Sequence, residues 1–302
     1  MSDKISTAAL QEMLDRHNDH ISASRLTAKS LPDWGFSAVG FSGFCPVKDC
    51  RIIVSDLVAI APVKPAIMMT EVMRSSKKGP GDGVRFAAVA SDINFEVILG
   101  QDFELQSVEM CVFALGNLIK ILSESPAIPR FSCSCRTMNE INFALDRSVD
   151  FKPFLLNAVS FRKNPPLYLS SSDLQWLSTS LESMLELLNK NLRLRVCADF
   201  FGTWDVSHDP RKGLFSIWAC VDALFGKNER SSAKKMIARA SDFCEVDAGE
   251  VAEMYNVRCA IIHGREAEYG LVVQSIEVAL DLVRQALRKI INTRILPLGP
   301  SA

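Results

Sequence analysis

Arg258 and His263 stand five positions apart in a largely apolar stretch, residues 255–264. Histidine titrates near neutral pH, so it can donate or accept a proton during a reaction. Arginine presents a rigid fork of donors to phosphate oxygens as negative charge develops on them. These two residue types suit cleavage of a phosphodiester by the 2′-hydroxyl of RNA, which leaves a cyclic phosphate end and requires no metal ion.

The spacing of the apolar residues around this pair predicts a helix, and Gly264 follows where a helix would stop. In a straight helix, residues five apart project about 140° from each other and lie about 7.5 Å apart along the axis. A single Arg258–His263 pair therefore cannot easily clamp one phosphate. Either the helix end distorts at Gly264, or the pair does not act alone.

A purely structural interpretation of the same residues is open. The helical neighbours of Arg258 are apolar, and an unpaired arginine among them would be costly. Asp222, in the apolar segment 218–225, is the candidate partner from another helix. In this interpretation, Arg258 and Asp222 form an inter-helix ion pair and His263 merely ends its helix.

Four more residues could contact RNA. Tyr255 could stack on a base, although its helical spacing equally suits the core. Arg265, Lys234 and Lys235 could line an RNA path, although each could equally belong to a solvated helix face.

Composition excludes several classes of protein. The 302 residues are 48% hydrophobic and 23% charged, which is typical of a globular fold, and the net charge of −1 gives no chain-wide basic footprint for nucleic acid. Nine cysteines without regular spacing indicate free thiols rather than a disulfide framework. Without a signal-peptide pattern or an apolar run near 20 residues, we expect a soluble, cytoplasmic protein with no membrane association.

The first 166 residues predict an α+β domain with an antiparallel sheet and one or two helices. The predicted helices cover residues 7–23 and 105–123, and the turn between two strands is predicted at residues 91–93. The predicted strands cover residues 36–44, 51–60, 84–90, 94–99, 131–135 and 141–145.

Residues 170–302 predict an all-α bundle, with the domain boundary near Pro166. A cap cluster at 170–173 opens it. Helical faces then follow in five segments, of which the fourth contains Arg258 and the fifth runs from about 271 to 292.

Segment 214–226, segment 255–264 and the long closing helix together resemble the HEPN superfamily, and within it the Apea-like group of bacterial defence proteins. The resemblance covers roughly the last 130 residues. It implies a helical domain that dimerises, so that two Arg-x4-His motifs meet in one cleft. For active members it further implies metal-independent RNA cleavage without a cofactor.

Within the resemblance, Arg258 and His263 occupy the catalytic motif positions and Asp222 the acidic position often seen in the preceding helix. The residue after the motif arginine is commonly polar, whereas here it is Cys259. The resemblance implies RNA and a second copy of the chain as partners, with a role in antiviral defence or as a toxin. The N-terminal domain would then sense a trigger or restrain activity. Many HEPN proteins are non-catalytic helical partners, so a silent interaction or RNA-binding module is the alternative.

A zinc site is a further alternative, in which Cys45, Cys50, Cys133 and Cys135 supply four thiolates. His17 and His20 also have a spacing that a metal could use, but no further ligand is identifiable near them. The glycine-rich loop 77–83 lacks the lysine and helix of a phosphate-binding loop, so we expect a surface turn there.

Overall fold

The computed structural model describes residues 35–48, 51–55, 57–68, 92–100, 105–123, 127–133, 137–138, 151–153, 168–205, 209–226 and 233–298. Several expectations concern residues outside these ranges. They are the helix at 7–23 with His17 and His20, the loop 77–83, the strands at 84–90 and 141–145, Cys50 and Cys135.

Within the described ranges, six antiparallel strands form one sheet in the order β2-β3-β4-β1-β5-β6. Their bounds are β1 Gly35–Gly43, β2 Ile52–Ser55, β3 Val58–Met68, β4 Asp92–Gly100, β5 Ala127–Cys133 and β6 Phe151–Pro153. The predicted antiparallel sheet is thus confirmed.

Strands β1 and β4 form the centre of the sheet, and they are rich in β-branched and aromatic residues. Phe41 and Phe95 lie opposite each other in the register, and their rings stack with centroids 4.8 Å apart. Both side chains are completely buried, as are Val97 and Leu99 on β4. Cross-strand apolar pairs of this kind fix the register, because a slip of one residue would move every side chain to the opposite face.

One carboxylate lies buried in the centre of this sheet. Glu96 on β4 accepts hydrogen bonds from the Thr137 hydroxyl and the Met138 backbone N–H. A buried carboxylate needs such donors, and here they tie the chain that follows β5 to the central strand.

The predicted strand at 51–60 is divided into β2 and β3, which pair as a hairpin in which Ser55 lies opposite Val58. The predicted turn at 91–93 is wrong for two of its residues. Asp92 and Ile93 belong to β4, where they pair with Met68 and Ile67 of β3.

Seven helices lie in the described residues. Their bounds are α1 Leu105–Ser123, α2 Ser171–Lys190, α3 Leu192–Thr203, α4 Pro210–Phe225, α5 Ala233–Cys244, α6 Ala248–Ile262 and α7 Tyr269–Thr293. Helix α1 is confirmed at its predicted bounds. The cap at the start of α2 is confirmed too, because Ser170 and Asp173 exchange backbone-to-side-chain hydrogen bonds as a capping box does.

Sequence periodicity missed helix α3. Only Asn191 separates it from α2, and the Asn191 side chain caps α3 by accepting from the Leu194 N–H at 2.9 Å. Part of its apolar content faces solvent, since Leu192 is 71% exposed. The expected contrast between an inner apolar face and an outer polar face is therefore weak in this helix.

The chain divides into two compact units. Unit 1 contains the sheet and takes in residues 1–112, 127–156 and 166–174, whereas unit 2 takes in 113–126, 157–165 and 175–302. The predicted division at Pro166 places α1 wholly with the sheet. In the structure, the part of α1 from Phe113 onward belongs to the helical unit.

A buried ion pair joins this part of α1 to the rest of unit 2. The Lys120 ammonium lies 2.6 Å from an Asp205 oxygen and donates to the Gly202 carbonyl at 2.6 Å, at the end of α3. Arg284 of α7 donates to the Ile121 carbonyl at 2.7 and 2.9 Å, so it caps the C-terminal end of α1.

None of the described helices combines the length and apolar character that crossing a bilayer requires.

Substitution Asp205→Ala should destabilise unit 2 strongly. It leaves the Lys120 charge buried without its counter-charge, which typically costs about 3–5 kcal/mol. The free energy of unfolding, followed by tryptophan fluorescence in denaturant, measures the effect. Glu186→Gln serves as the surface control, because Glu186 pairs with Lys190 and Arg294 in solvent and its loss should barely move the unfolding midpoint. Similar midpoints for the two variants would contradict a structural role for the buried pair.

Candidate functional site

Helix α6 has defined caps at both ends. At its start, the Asp247 carboxylate accepts from the Glu250 N–H at 2.9 Å. At its end, Gly264 adopts a left-handed φ of +72°, as the sequence predicted for a helix stop. The Gly264 N–H donates to the Ile261 carbonyl at 3.0 Å and the Arg265 N–H to the Ala260 carbonyl at 2.9 Å, which is a Schellman motif.

His263 lies at the C-cap of α6, one residue beyond the helix. Its backbone N–H donates to the Cys259 carbonyl at 3.1 Å, and its side chain is exposed. The predicted role in ending the helix is thus confirmed for the backbone, which leaves the imidazole free to face solvent.

Arg258 points toward helix α4. Its Nη2 lies 3.1 Å from Asp222 Oδ2, so the predicted inter-helix ion pair is confirmed. The Arg258 side chain is 21% exposed and that of Asp222 is 42% exposed, so the pair lies at the edge of the bundle, within reach of solvent.

Asp222 is a partly buried counter-ion, and its burial disfavours the charged form. Burial raises its pKa, and the neighbouring Arg258 charge offsets this only in part. Because the folded pKa lies above its ordinary value, folding favours the protonated carboxyl. This stabilisation is lost as the pH rises through the raised pKa. Arg258 thus faces a carboxylate that gives up its charge more readily than an ordinary aspartate.

The Arg258 guanidinium also has unused bonding capacity. Among the described residues, its buried Nε has no hydrogen-bond partner, and Asp222 supplies its one acceptor closer than 3.5 Å. Its Nη1 makes only long contacts, at 3.5 Å to the Tyr255 hydroxyl and 4.0 Å to Cys259 Sγ. An arginine carries five N–H donors, so several N–H groups of this one have no close acceptor among the described residues.

The Tyr255 ring lies against the Arg258 guanidinium. The Arg258 Cζ lies 5.3 Å from the Tyr255 ring centroid, which is a cation–π contact. The same ring meets Trp218 of α4 edge to face, with centroids 5.4 Å apart. Burial raises the pKa of the Tyr255 hydroxyl, and the nearby Cys259 raises it further. The Tyr255 ring thus contacts two side chains of the protein, those of Arg258 and Trp218.

A buried hydrogen-bonded junction lies behind Tyr255, and the sequence analysis did not identify it. Trp218 Nε1 donates to Ser275 Oγ on α7 at 3.1 Å, and Ser275 Oγ donates to the Met254 carbonyl on α6 at 2.8 Å. Trp218 and Ser275 are completely buried. The sequence feature that could have indicated this junction is a single serine on the apolar stripe formed by Val272, Ile276 and Ala279.

The remaining predicted RNA contacts are exposed cations. Lys234 and Lys235 are exposed on the first turn of α5, and Arg265 is exposed just after His263. Further along α5, Arg239 donates to the Phe225 carbonyl at 2.7 Å at the end of α4. The structure thus brings Arg258, Asp222, Tyr255 and Cys259 together, with His263 and Arg265 at the adjoining helix end.

The second half of α6 is apolar but poorly covered. Val251 and Met254, both in its first half, are its buried residues. Ile262 is 45% exposed, and near the start of α7 Tyr269 is 68% and Leu271 37% exposed. Apolar side chains are therefore exposed at the end of α6, next to His263 in the chain, and at the start of α7.

The cysteines of the zinc alternative are only partly described. Cys45 donates to the Val47 carbonyl at 2.9 Å, and Cys133 lies 3.9 Å from the Met138 sulfur. Within the described ranges, no three His, Cys, Asp or Glu side chains come together as a metal site would require.

Comparisons with protein-family models, with curated proteins and with solved structures gave no match to this chain.

Substitution Gly264→Ala should weaken the end of α6. No atom lies within 4 Å of the position of the added Cβ, so the cost comes from the left-handed backbone alone and should be about 1–2 kcal/mol. Gly270→Ala is the matched control, because its added Cβ also meets nothing within 4 Å and no left-handed φ is involved. Denaturant unfolding of both variants measures the difference. Equal stabilities would mean that the backbone at Gly264 relaxes without cost.

Proposed function

We propose that this protein is a metal-independent endoribonuclease of the HEPN type, acting as a homodimer with a composite Arg-x4-His site. One observation carries the proposal. Arg258 and His263 lie on an apolar helix end that the protomer leaves partly uncovered. A guanidinium with donors to spare and an exposed imidazole are suited to hold a phosphate and to move a proton.

The uncovered helix end argues for a second copy. Exposed apolar side chains that cluster are a mark of protein–protein contact. Because Arg258 points toward α4 while His263 is exposed beyond the helix end, one protomer does not direct both groups at one phosphate. A two-fold axis near Ile262 would bring the His263 rings of two protomers toward a shared cleft, as the resemblance to the Apea-like HEPN group implies.

The chemistry then follows from the residue types. One imidazole accepts the proton of the RNA 2′-hydroxyl, whose oxygen forms a bond to phosphorus. The bond from phosphorus to the 5′-oxygen breaks, and a protonated imidazole donates the proton to that oxygen. Arg258 stabilises the charge that develops on the phosphate oxygens. The products are a 2′,3′-cyclic phosphate and a 5′-hydroxyl.

Asp222 and Tyr255 hold the arginine for this step. Asp222 orients the guanidinium through a single oxygen, and the Tyr255 ring supports its face. An incoming phosphate competes with this single carboxylate oxygen for the guanidinium. Cys259 lies against Nη1 and occupies the position after the motif arginine. Arg265, Lys234 and Lys235 would then meet the RNA backbone as exposed cations.

The silent interaction module is the second candidate, and the Arg258–Asp222 pair favours it. An inter-helix ion pair is what a purely structural arginine would form, and the exposed apolar helix end would still suit a protein partner. The RNA cleavage experiment described next separates the two candidates.

The wider role rests on the resemblance alone. It suggests a bacterial defence or toxin function in the cytoplasm, with the sheet-containing unit 1 sensing a trigger or restraining the nuclease.

Purified protein should cleave RNA in the presence of EDTA, and Arg258→Ala and His263→Ala should each lower the rate by at least about 100-fold, the usual contribution of a proton-transferring group or a charge stabiliser. The assay follows end-labelled RNA and tests the products for a cyclic phosphate. Lys190→Ala is the control, because Lys190 is an exposed lysine at the end of α2 that is not assigned to the RNA contact, and this variant should keep most of the activity.

Mixing the two inactive variants tests whether the site is shared. A heterodimer of Arg258→Ala with His263→Ala keeps one arginine and one histidine on different protomers, so the share of the rate that a single imidazole supports, as base or as acid, should return. No recovery in confirmed heterodimers would contradict sharing in this form. If wild-type protein does not cleave RNA with or without metal ions, the silent module is the better account.

Substitution Ile262→Glu should convert the dimer to a monomer, because it buries a charge in the proposed contact. Light scattering coupled to size exclusion measures the mass of each variant. Ile295→Glu is the matched control, since Ile295 is an exposed isoleucine beyond the end of α7 and its replacement should leave the dimer intact. A wild-type monomer at micromolar concentration would sink the dimer proposal.

A further inference from the structure

Ser275 is a polar residue on an otherwise apolar stripe. It lies on α7 among Val272, Ile276 and Ala279, and its side chain is completely buried. Ala279 and Ala286 on the same helix show that small apolar side chains fill such positions. Packing alone therefore does not require a hydroxyl here, and a buried hydroxyl is costly unless it is bonded.

Each of the two hydrogen bonds of Ser275 connects it to Arg258 through other residues. Its hydroxyl donates to the Met254 carbonyl, the same carbonyl that accepts the Arg258 backbone N–H in the i to i−4 pattern of α6. It accepts from Trp218 Nε1, and the Trp218 ring packs edge-on against Tyr255, over which the Arg258 guanidinium lies. One side chain thus fixes both the helical turn that carries Arg258 and the aromatic support of its guanidinium.

Three helices meet at this hydroxyl: α4 through Trp218, α6 through Met254 and α7 through Ser275 itself. Asp222 and Trp218 belong to the same helix, four residues apart, so they lie on neighbouring turns of one face. Fixing Trp218 therefore also fixes the element that presents the Asp222 carboxylate to Arg258.

We propose that Ser275 is a positioning residue, which sets the placement of Arg258 against Asp222 by linking α4, α6 and α7. Its catalytic consequence rests on the proposed ribonuclease activity, whereas its effect on the Arg258–Asp222 pair does not.

The first test measures the pair without any RNA. Carboxyl-carbon NMR of labelled aspartate follows the titration of Asp222 in wild type and Ser275→Ala. Because the Arg258 charge lowers the pKa of Asp222, loosening the arginine should raise that pKa further in the variant. Ser241→Ala is the matched control. Ser241 is also a buried helical serine, but among the described residues its hydroxyl has no hydrogen-bond partner, so the pKa of Asp222 should not change.

A second variant guards against a failure of Ser275→Ala to fold. Trp218→Phe keeps an aromatic ring beside Tyr255 and removes the N–H that donates to Ser275 Oγ, together with part of the ring volume. It should shift the pKa of Asp222 in the same direction. An Asp222 titration in Ser275→Ala and Trp218→Phe identical to that in Ser241→Ala would overturn the proposal.

The second test measures turnover. A misplaced arginine should lower kcat by about tenfold or more and leave KM for RNA nearly unchanged, because small displacements act mainly on the transition state. Ser241→Ala should retain the wild-type kcat. If wild-type protein cleaves no RNA, the proposed function fails, and the NMR comparison still decides whether Ser275 positions Arg258.

Discussion

A guanidinium on an apolar helix must have a counter-charge within reach, and the arrangement of the helical unit around Arg258 follows from that requirement. The Asp222 carboxylate meets it from α4 with a single hydrogen bond. That pairing links α4 and α6 at the edge of the bundle. It also leaves the arginine incompletely bonded, which separates this pair from the buried Lys120–Asp205 pair, whose partners are closed off from solvent.

The two halves of helix α6 differ in burial. The first half packs into the core, and the second half carries residues of the candidate site. The first half contributes Val251 and Met254 to the core, whereas the second half carries Arg258 and leaves apolar side chains uncovered. The Schellman motif at Gly264 ends the helix at a defined residue. His263 therefore has a fixed backbone and a solvent-facing side chain, a combination that suits a group needed to exchange protons with water or RNA.

Local patterns in the sequence predicted the features that depend on neighbours along the chain. Strand alternation, the 105–123 helix, the capping box at Ser170 and the helix end at Gly264 are of this kind, and the Asp222–Arg258 pair followed from the cost of an unpaired charge. Features set by distant residues were missed. The β2–β3 hairpin lies inside one continuous apolar run, α3 exposes apolar residues, and the role of Ser275 depends on Trp218, 57 positions earlier. The dimeric site involves a surface that a single chain leaves open, so it stays a prediction.

The buried Lys120 has a practical consequence for dissecting the protein. A polypeptide that begins at residue 170 would contain every helix from α2 to α7 yet lack the lysine that neutralises Asp205. Its interior would hold an orphaned carboxylate, and Arg284 would lose the carbonyls of α1 to which it donates. If such a fragment folds poorly, the cause would be the missing part of α1 rather than the missing sheet. A fragment meant to contain the whole helical unit should therefore include residues 113–123.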